Sequence, residues 1–307
     1  MKDVLSDILE TIRLQETLYF RTDFSPPWAI EVPAYKTAAR FHLVIQGRCH
    51  VKLPSGRTVA LQAGDLALIP HGRAHILSDR DDRAPNSLER VLEEAGYSGD
   101  GVFILGKGDP EAATRMLCGH FGFAEGADHP IMRAMPELVV LTNDDRPQHP
   151  FLDGALRLLE KRVFSDGVGA KAAVTKLSEL LLIEAIRAIV SQSPHLKQIM
   201  AAITDTHVGR ALALLHEAYA KDWTVENLAE SVGMSRSRFA ERFCELLGEG
   251  PMHYLAEWRL QRAMYLLSQP RISVQEVALQ VGYQSTSAFS RAFTAKFGAA
   301  PTAFKRV

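Results

Sequence analysis

The chain has 307 residues, 47% hydrophobic and 23% charged, enough for more than one packed core and far from a disordered composition. Its formal net charge of −1, from 35 Lys and Arg against 36 Asp and Glu, excludes a strongly basic, sequence-blind nucleic-acid coat. Cys49, Cys118 and Cys244 are odd in number and widely spaced, which excludes a disulfide framework, and no apolar run approaches the length needed to cross a membrane. The stretch from Met1 to Asp7 lacks the charged-then-apolar form of a signal peptide, so a cytoplasmic protein is expected.

In chain order, Val4, Ile8, Leu9 and Ile12 fall at helical spacing, predicting a short amphipathic helix over residues 3–14. From Arg13 to about Phe123 the pattern changes to short alternating or β-branched runs. These predict strands over 18–21, 28–32, 41–46, 49–53, 58–61, 65–69, 102–105 and 114–121, with Pro26-Pro27, Gly47, Pro54-Ser55-Gly56 and Ala63-Gly64 as punctuation. Many short, evenly spaced strands argue for a sandwich or closed barrel. Residues 80–100 are polar, with a short helix at 87–94, and read as an exposed insertion that either covers the barrel mouth or is inert surface.

Within this region Gly64, Pro70, Gly72 and His75 are spaced in a way that resembles the second motif of the cupin superfamily, with His42 standing where a first-motif histidine would. Val44 occupies the place of a second histidine, and no Glu follows at the expected distance. The three-His-one-Glu catalytic set that the resemblance implies is therefore incomplete. A metal-dependent cupin enzyme, a dioxygenase or isomerase, is the alternative to a sensor barrel, and the incomplete set speaks against it. Cys118 and His120 share one face of an extended strand. With His42 and His75 they would give a nitrogen and sulfur ligand set suited to zinc in a closed structural site. The blander reading makes the cysteine a small core hydrophobe and the histidines satisfied core residues, with His71 a lesser candidate. A third reading is oxidation of an accessible, low-pKa Cys118, with Cys49 beside Arg48 and His50 as a weaker candidate.

After the barrel, residues 151–164 place Leu152, Leu156, Leu159 and Val163 on one helical face. Residues 171–191 carry a wider apolar surface, including Leu177, Leu180, Leu181, Ile183 and Ile186. Such a coated helix packs inside its own domain or forms a dimer interface, and a homodimer made partly by 150–191 is expected. Ser193-Pro194 breaks the pattern and a helix resumes over 195–206.

The last hundred residues say nearly the same thing twice. Thr224 to Gly233 aligns with Ser273 to Gly282 at an offset of 49. After one inserted residue, Phe239, Phe243, Gly248 and Pro251 fall on Phe289, Phe293, Gly298 and Pro301. Each copy reads as a capped helix closed by glycine, a short turn, and a second helix capped by Ser235 or Ser285; Ser273 with Glu276 forms a capping box. That is the helix-turn-helix unit, whose second helix can lie in a DNA major groove. Residues 254–268 have helical spacing and join the two units.

Two such units joined by a helix, each followed by Gly-x-x-Pro, resemble the DNA-binding domain of the AraC family of transcriptional regulators. Outer-face candidates for DNA contact are Arg236, Ser237, Arg238 and Arg242 in the first unit and Thr286, Ser287, Ser290 and Arg291 in the second. Carried over by position, the family's base-reading sites fall on Ser237, Ala240 and Glu241, and on Thr286, Ser287 and Arg291. Residues 208–307 hold 12 Lys and Arg against 9 Asp and Glu, the rest 23 against 27, a mild asymmetry that suits a few placed contacts.

The fold class expected is α+β: a cupin-like barrel over 1–149, a helical connector and dimerisation region over 150–204, and an all-α double helix-turn-helix domain over 205–307, with units at 224–247 and 273–297. The resemblance implies a regulator rather than an enzyme. It would be a homodimeric activator that binds promoter DNA, contacts RNA polymerase and answers to a small molecule, a metal such as zinc, or an oxidant.

Overall fold

The computed structural model describes residues 4–12, 14–35, 38–99, 101–123, 129–162, 167–190 and 193–305. The chain divides into two compact units. One is Leu14–Phe123 with Met135–Gln192; the other is Met1–Arg13, Ala124–Ala134 and Ser193–Val307.

The first unit is built on two sheets. Strands β1 (Leu14–Phe24), β2 (Ala29–Val32), β3 (Ala38–Gln46), β4 (Arg48–Lys52), β5 (Thr58–Gln62), β6 (Leu66–Ile69), β7 (His75–Ser78) and β8 (Asn86–Ser87) precede helix α2 (Leu88–Glu94). Strands β9 (Val102–Leu105), β10 (Thr114–Phe123) and β11 (Val139–Leu141) follow it. One sheet runs β11-β6-β3-β10-β1-β9 and the other β5-β4-β7-β2-β8. Between them lies a core that includes Phe24, Trp28, Ile30, Val44, Cys49, Met116 and Cys118. The strands predicted from alternation all appear, β1 and β10 longer than expected. Strands β7, β8 and β11 were not anticipated, because each is short and sits beside polar or turn residues.

The other face of the larger sheet is also buried. Phe41 and Leu43 have no exposed surface, and Phe41 stacks on Phe121 at 4.9 Å between ring centres. Helix α4 (Pro150–Arg162) packs on α5 (Ala170–Ile189), and α5 packs on β1. Residues 150–190 therefore belong to the barrel unit rather than to a free-standing connector. Of the two readings of 80–100, the covering one fits: most of the segment is exposed, Ser87 accepts the Arg90 N–H as the cap of α2, and Leu88, Val91 and Leu92 pack onto the barrel core.

The second unit is helical and draws on three stretches of chain. Short helices α1 (Val4–Ile12) and α3 (Pro130–Arg133) join α6 (Pro194–Thr204) and α7 (Val208–Glu217). The first helix-turn-helix is α8 (Val225–Ser231) with α9 (Arg236–Leu247); α10 (Pro251–Leu267) links it to α11 (Val274–Gln280) and α12 (Thr286–Phe297). Helix α1 packs on α7 and α10, and α3 on α6, so both segments flanking the barrel in sequence are counted with this unit. That differs from the expected boundaries at 149 and 204: the packing partners of α1 and α3 are some 200 and 65 residues away in sequence, which no local pattern reveals.

The repeat is physical as well as textual. Phe239, Phe243, Phe289 and Phe293 have no exposed surface, each pair filling the core of its own unit. Truncating any one to Ala would cost about 3–5 kcal/mol. The Ser273–Glu276 capping box is present, and Thr224–Asn227 forms a second, with Asn doing the work of Glu. Gly282 has φ of 84°, and a Cβ there would stand 2.7 Å from the Ala220 carbonyl oxygen, so only glycine fits this turn.

Candidate nucleic-acid interface and barrel cavity

Helices α9 and α12 each bury their phenylalanines and turn a polar face outward. On α9, Arg236, Ser237, Arg238, Glu241 and Arg242 are exposed and Ala240 is half-buried; on α12, Ser287 and Arg291 are exposed, with Thr286 and Ser290 half-buried. The four arginines are not equivalent. Arg242 is bonded to Asp205 Oδ2 through Nη2 at 2.9 Å and Nε at 3.2 Å, while Asp205 Oδ1 caps α7 by accepting the N–H groups of His207 and Val208. These bonds hold the Arg242 guanidinium above its usual range and the Asp205 carboxyl below its own. Arg236 is paired with Glu226 at 2.5 Å. Arg238 and Arg291 have no ion pair among the described residues and stand available to a phosphate or a guanine edge. Of the predicted DNA-contacting residues, Arg242 is thus engaged within the fold, while Ser237, Arg238, Ser287 and Arg291 remain exposed.

The core behind α9 holds a directed hydrogen-bond chain invisible in the sequence. His129 Nδ1 accepts the Ile131 N–H at 3.2 Å, so a neutral His129 carries its proton on Nε2, 3.3 Å from the Tyr254 hydroxyl. Tyr254 lies 2.7 Å from His216 Nε2, and His216 Nδ1 faces Asp7 Oδ2 at 3.8 Å. Burial pushes His129 down to about 3 and the Tyr254 phenol up.

In the barrel, β10 and β3 pair with Cys118 opposite His42 and His120 opposite Arg40. His42 and His75 meet Nε2 to Nε2 at 2.8 Å, and His75 Nδ1 lies 2.9 Å from the Arg73 carbonyl. A carbonyl can only accept, so His75 Nδ1 carries the proton. Burial holds both rings neutral, His75 at about 4 and His42 well below its usual value. His75 Nε2 is then the acceptor and His42 Nε2–H the donor. That leaves His42 Nδ1 as a bare lone pair, buried and without a hydrogen-bond partner.

The proposed zinc set does not assemble. Among the described residues no three His, Cys, Asp or Glu side chains form a group able to hold a metal. His42 and His75 are spent on each other, His120 lies parallel to the Tyr35 ring at 6.1 Å, and His71 donates to the Met135 carbonyl. The residues present do not fit that cofactor. Cys49 and Cys118, the two candidates for oxidation, are unsuited to sensing as thiolates: burial lifts Cys49 to about 12 and Cys118 higher still. The Gly72 of the motif has a steric role, since a Cβ there would meet the carbonyl oxygens of Tyr35 and Ala38 at 2.1 and 2.3 Å.

Beside His42 lies a cavity of about 50 Å³ lined by residues of both sheets and by Leu88 and Leu92 of α2. Its walls include Phe24, Ile30, Leu77 and Phe103, and its polar groups are Thr22, Arg40, His42 and Cys118. Sequence reasoning missed Arg40. The signal was there: two residues before His42 on a strand, it shares that face.

Two tandem helix-turn-helix units and a β-barrel with a cavity between its sheets define a DNA-binding regulator with a cupin-like domain. Residues 3–191 match the cupin family, and residues 228–306 match the helix-turn-helix domain family. The chain is 28% identical to the HTH-type transcriptional regulator AlkR of Acinetobacter baylyi over 99% of both chains. It is 25% identical to the RCS-specific HTH-type transcriptional activator RclR of Escherichia coli (strain K12), over 99% of this chain and 97% of that one. The DNA-binding domain of AdpA, solved with a target DNA, aligns over 33% of this chain and 90% of that one at 33% identity and a TM-score of 0.31. The chain belongs to the AraC family of transcriptional regulators with a cupin domain at the N-terminal end. It is a regulator and not an enzyme, as its relatives are. Among the described residues no helix is long and apolar enough to cross a membrane.

Proposed function

We propose that the barrel takes a small effector and that its occupancy sets how the two helix-turn-helix units engage the half-sites of a promoter. The observation that carries this is covalent continuity. The cavity is lined by β1, through Phe20, Thr22 and Phe24, and by β10, through Cys118 and Gly119. These paired strands run together as far as Leu14 and Phe123. Immediately beyond, the chain enters α1 at one end and 124–134 at the other, both counted with the DNA-binding unit. A shift of β1 against β10 on filling the cavity thus pulls toward α1, packed on α7 and α10, and toward α3, packed on α6.

The protein acts as a homodimer in this proposal, with Phe151, Leu158 and Leu180 of α4 and α5, all exposed, as the apolar contact. Activation then follows from contact with RNA polymerase beside the bound dimer.

The test is selection of tight sites from random duplexes, followed by anisotropy titration. Arg291→Ala should lose about 1–3 kcal/mol on the selected site, and Arg238→Ala should lower the salt slope by about one. Equal loss on selected and scrambled DNA for Arg291→Ala would move that residue to the phosphate backbone. No bipartite site would remove the dimeric reading.

A further inference from the structure

Arg40 is the least explained charge in the barrel. It is only 5% exposed, it has no ion pair among the described residues, and its Nε is buried without a hydrogen-bond partner. Its compensation comes from neutral groups: the Tyr35 ring, 4.2 Å from Cζ, and a side-chain hydrogen bond with Tyr35. A buried cation left without an anion is costly and is retained where a ligand supplies the anion. The same cavity has a second unfilled valence, since His42 Nδ1 is an acceptor with nothing donating to it. The remaining walls are mostly apolar, apart from Thr22 and Cys118, with Leu88 and Leu92 of α2 as the roof.

We propose that the cavity binds a small hydroxycarboxylate, its carboxylate forked onto Arg40, its hydroxyl donating to His42 Nδ1 and its carbon body against Phe24, Leu77 and Phe103. This rests on the reading of the barrel as the effector domain. One cation with no second beside it selects a monoanion, and the planar guanidinium matches a carboxylate edge to edge. The two unfilled groups ask for an acceptor and a donor on the same molecule. Size sets the upper bound: about 50 Å³, at ~10–15 Å³ for each water-sized group, holds roughly three to five of them. That is the scale of a two- or three-carbon hydroxy acid. A long-chain acid would not be enclosed by it.

The experiment is calorimetric titration of the full-length protein with lactate, propionate and 1,2-propanediol. Lactate should bind, propionate about tenfold more weakly for want of the hydroxyl, and the diol not measurably, because it leaves Arg40 unpaired. Arg40→Met should abolish lactate binding and raise the thermal midpoint of the ligand-free protein, having removed an unpaired buried charge. Arg40→Lys should keep the charge but weaken lactate through loss of the fork. Equal binding of acid and diol, no binding of either acid, or a lowered midpoint in Arg40→Met would each overturn the assignment. A cavity-filling Leu77→Phe separates this failure from that of the effector barrel. If it alters DNA affinity while no acid binds, the barrel reading stands and the ligand class falls; if DNA affinity is also unmoved, both fall.

Discussion

Acidification should loosen the DNA-binding unit through His129, and the size of the effect can be worked out. His129 lies 5% exposed between α3 and α10, with its Nδ1 committed to the Ile131 N–H and its Nε2 to Tyr254. The charged and titratable groups around it are Arg133 on its own segment, Tyr254 and Glu249 by α10, His216 on α7 and Asp7 on α1. Burial and the Arg133 charge lower it from 6.5 to about 3. The unfolded chain therefore takes up the proton first, so stability is flat above about pH 6.5 and falls as pH drops from there toward 3. At pH 5 the loss is about 2 kcal/mol, one and a half pH units below the unfolded value at ~1.36 kcal/mol per unit.

Urea titrations at pH 7.5 and pH 5 measure it, followed by the fluorescence of Trp223 and Trp258 in a Trp28→Phe background that silences the barrel. Trp258 stacks on His216 at 3.7 Å and so reports this cluster. The comparison variant is His129→Asn, whose amide oxygen can still cap α3 at the position Nδ1 now fills. The variant should lose about 2 kcal/mol less than the parent over the same pH interval. An equal loss in both would mean that His129 is not the group being protonated, and the directed chain through Tyr254 would fail with it.

The two turn glycines should part company. Gly233→Ala has an open surround and φ of 73°, so it should cost about 1–2 kcal/mol of left-handed strain; Gly282→Ala adds a 2.7 Å collision with the Ala220 backbone and should cost about 1–3 kcal/mol more in the same urea assay. Arg242→Ala should lower the urea midpoint, because it uncouples Asp205 from α9, while leaving the salt slope of DNA binding unchanged; a slope falling by about one would return Arg242 to the DNA face. Purified protein should carry no stoichiometric zinc, in the wild type or in Cys118→Ala, since the predicted ligands are not gathered. His75→Ala should cost about 1–3 kcal/mol by orphaning the His42 Nε2–H, and one zinc per chain lost in both variants would reverse that account.

What the sequence carried was whatever is written in short-range spacing. Phenylalanines four apart, a hydroxyl before a helical run and glycines after it fix each helix-turn-helix locally, and all were legible. Strand alternation placed eight of the strands for the same reason. The misses are of another kind. Arg40 and His42 share a face by simple parity, yet nothing in Ala39-Arg40-Phe41-His42 says that no carboxylate comes to meet the arginine; that depends on β1, β2 and α2 closing around it. His75 looked like a ligand because its motif spacing was right. Its actual partners, His42 and the Arg73 carbonyl, are set by the packing of one sheet on the other. The membership of α1 and α3 in the DNA-binding unit is likewise a long-range choice.

The duplication itself separates scaffold from reader. The matching phenylalanines, Phe239 with Phe289 and Phe243 with Phe293, are fully buried. On the outer face at the same offset, Ser237 and Ser287 match, whereas an exposed Glu241 in one copy stands opposite an exposed Arg291 in the other. A carboxylate accepts from the cytosine amino group, whereas an arginine donates to guanine O6 and N7, so base contact at this position would give the two helices opposite preferences. Glu241→Arg should therefore fold like the parent, since the position is exposed. In the random-duplex selection it should turn the first half-site's preference at that base pair toward guanine on the contacted strand, by about 1–3 kcal/mol, leaving the second half-site as it was. A general tightening on all duplexes, with no base preference gained, would mean that α9 meets only phosphate, and that discrimination belongs to α12.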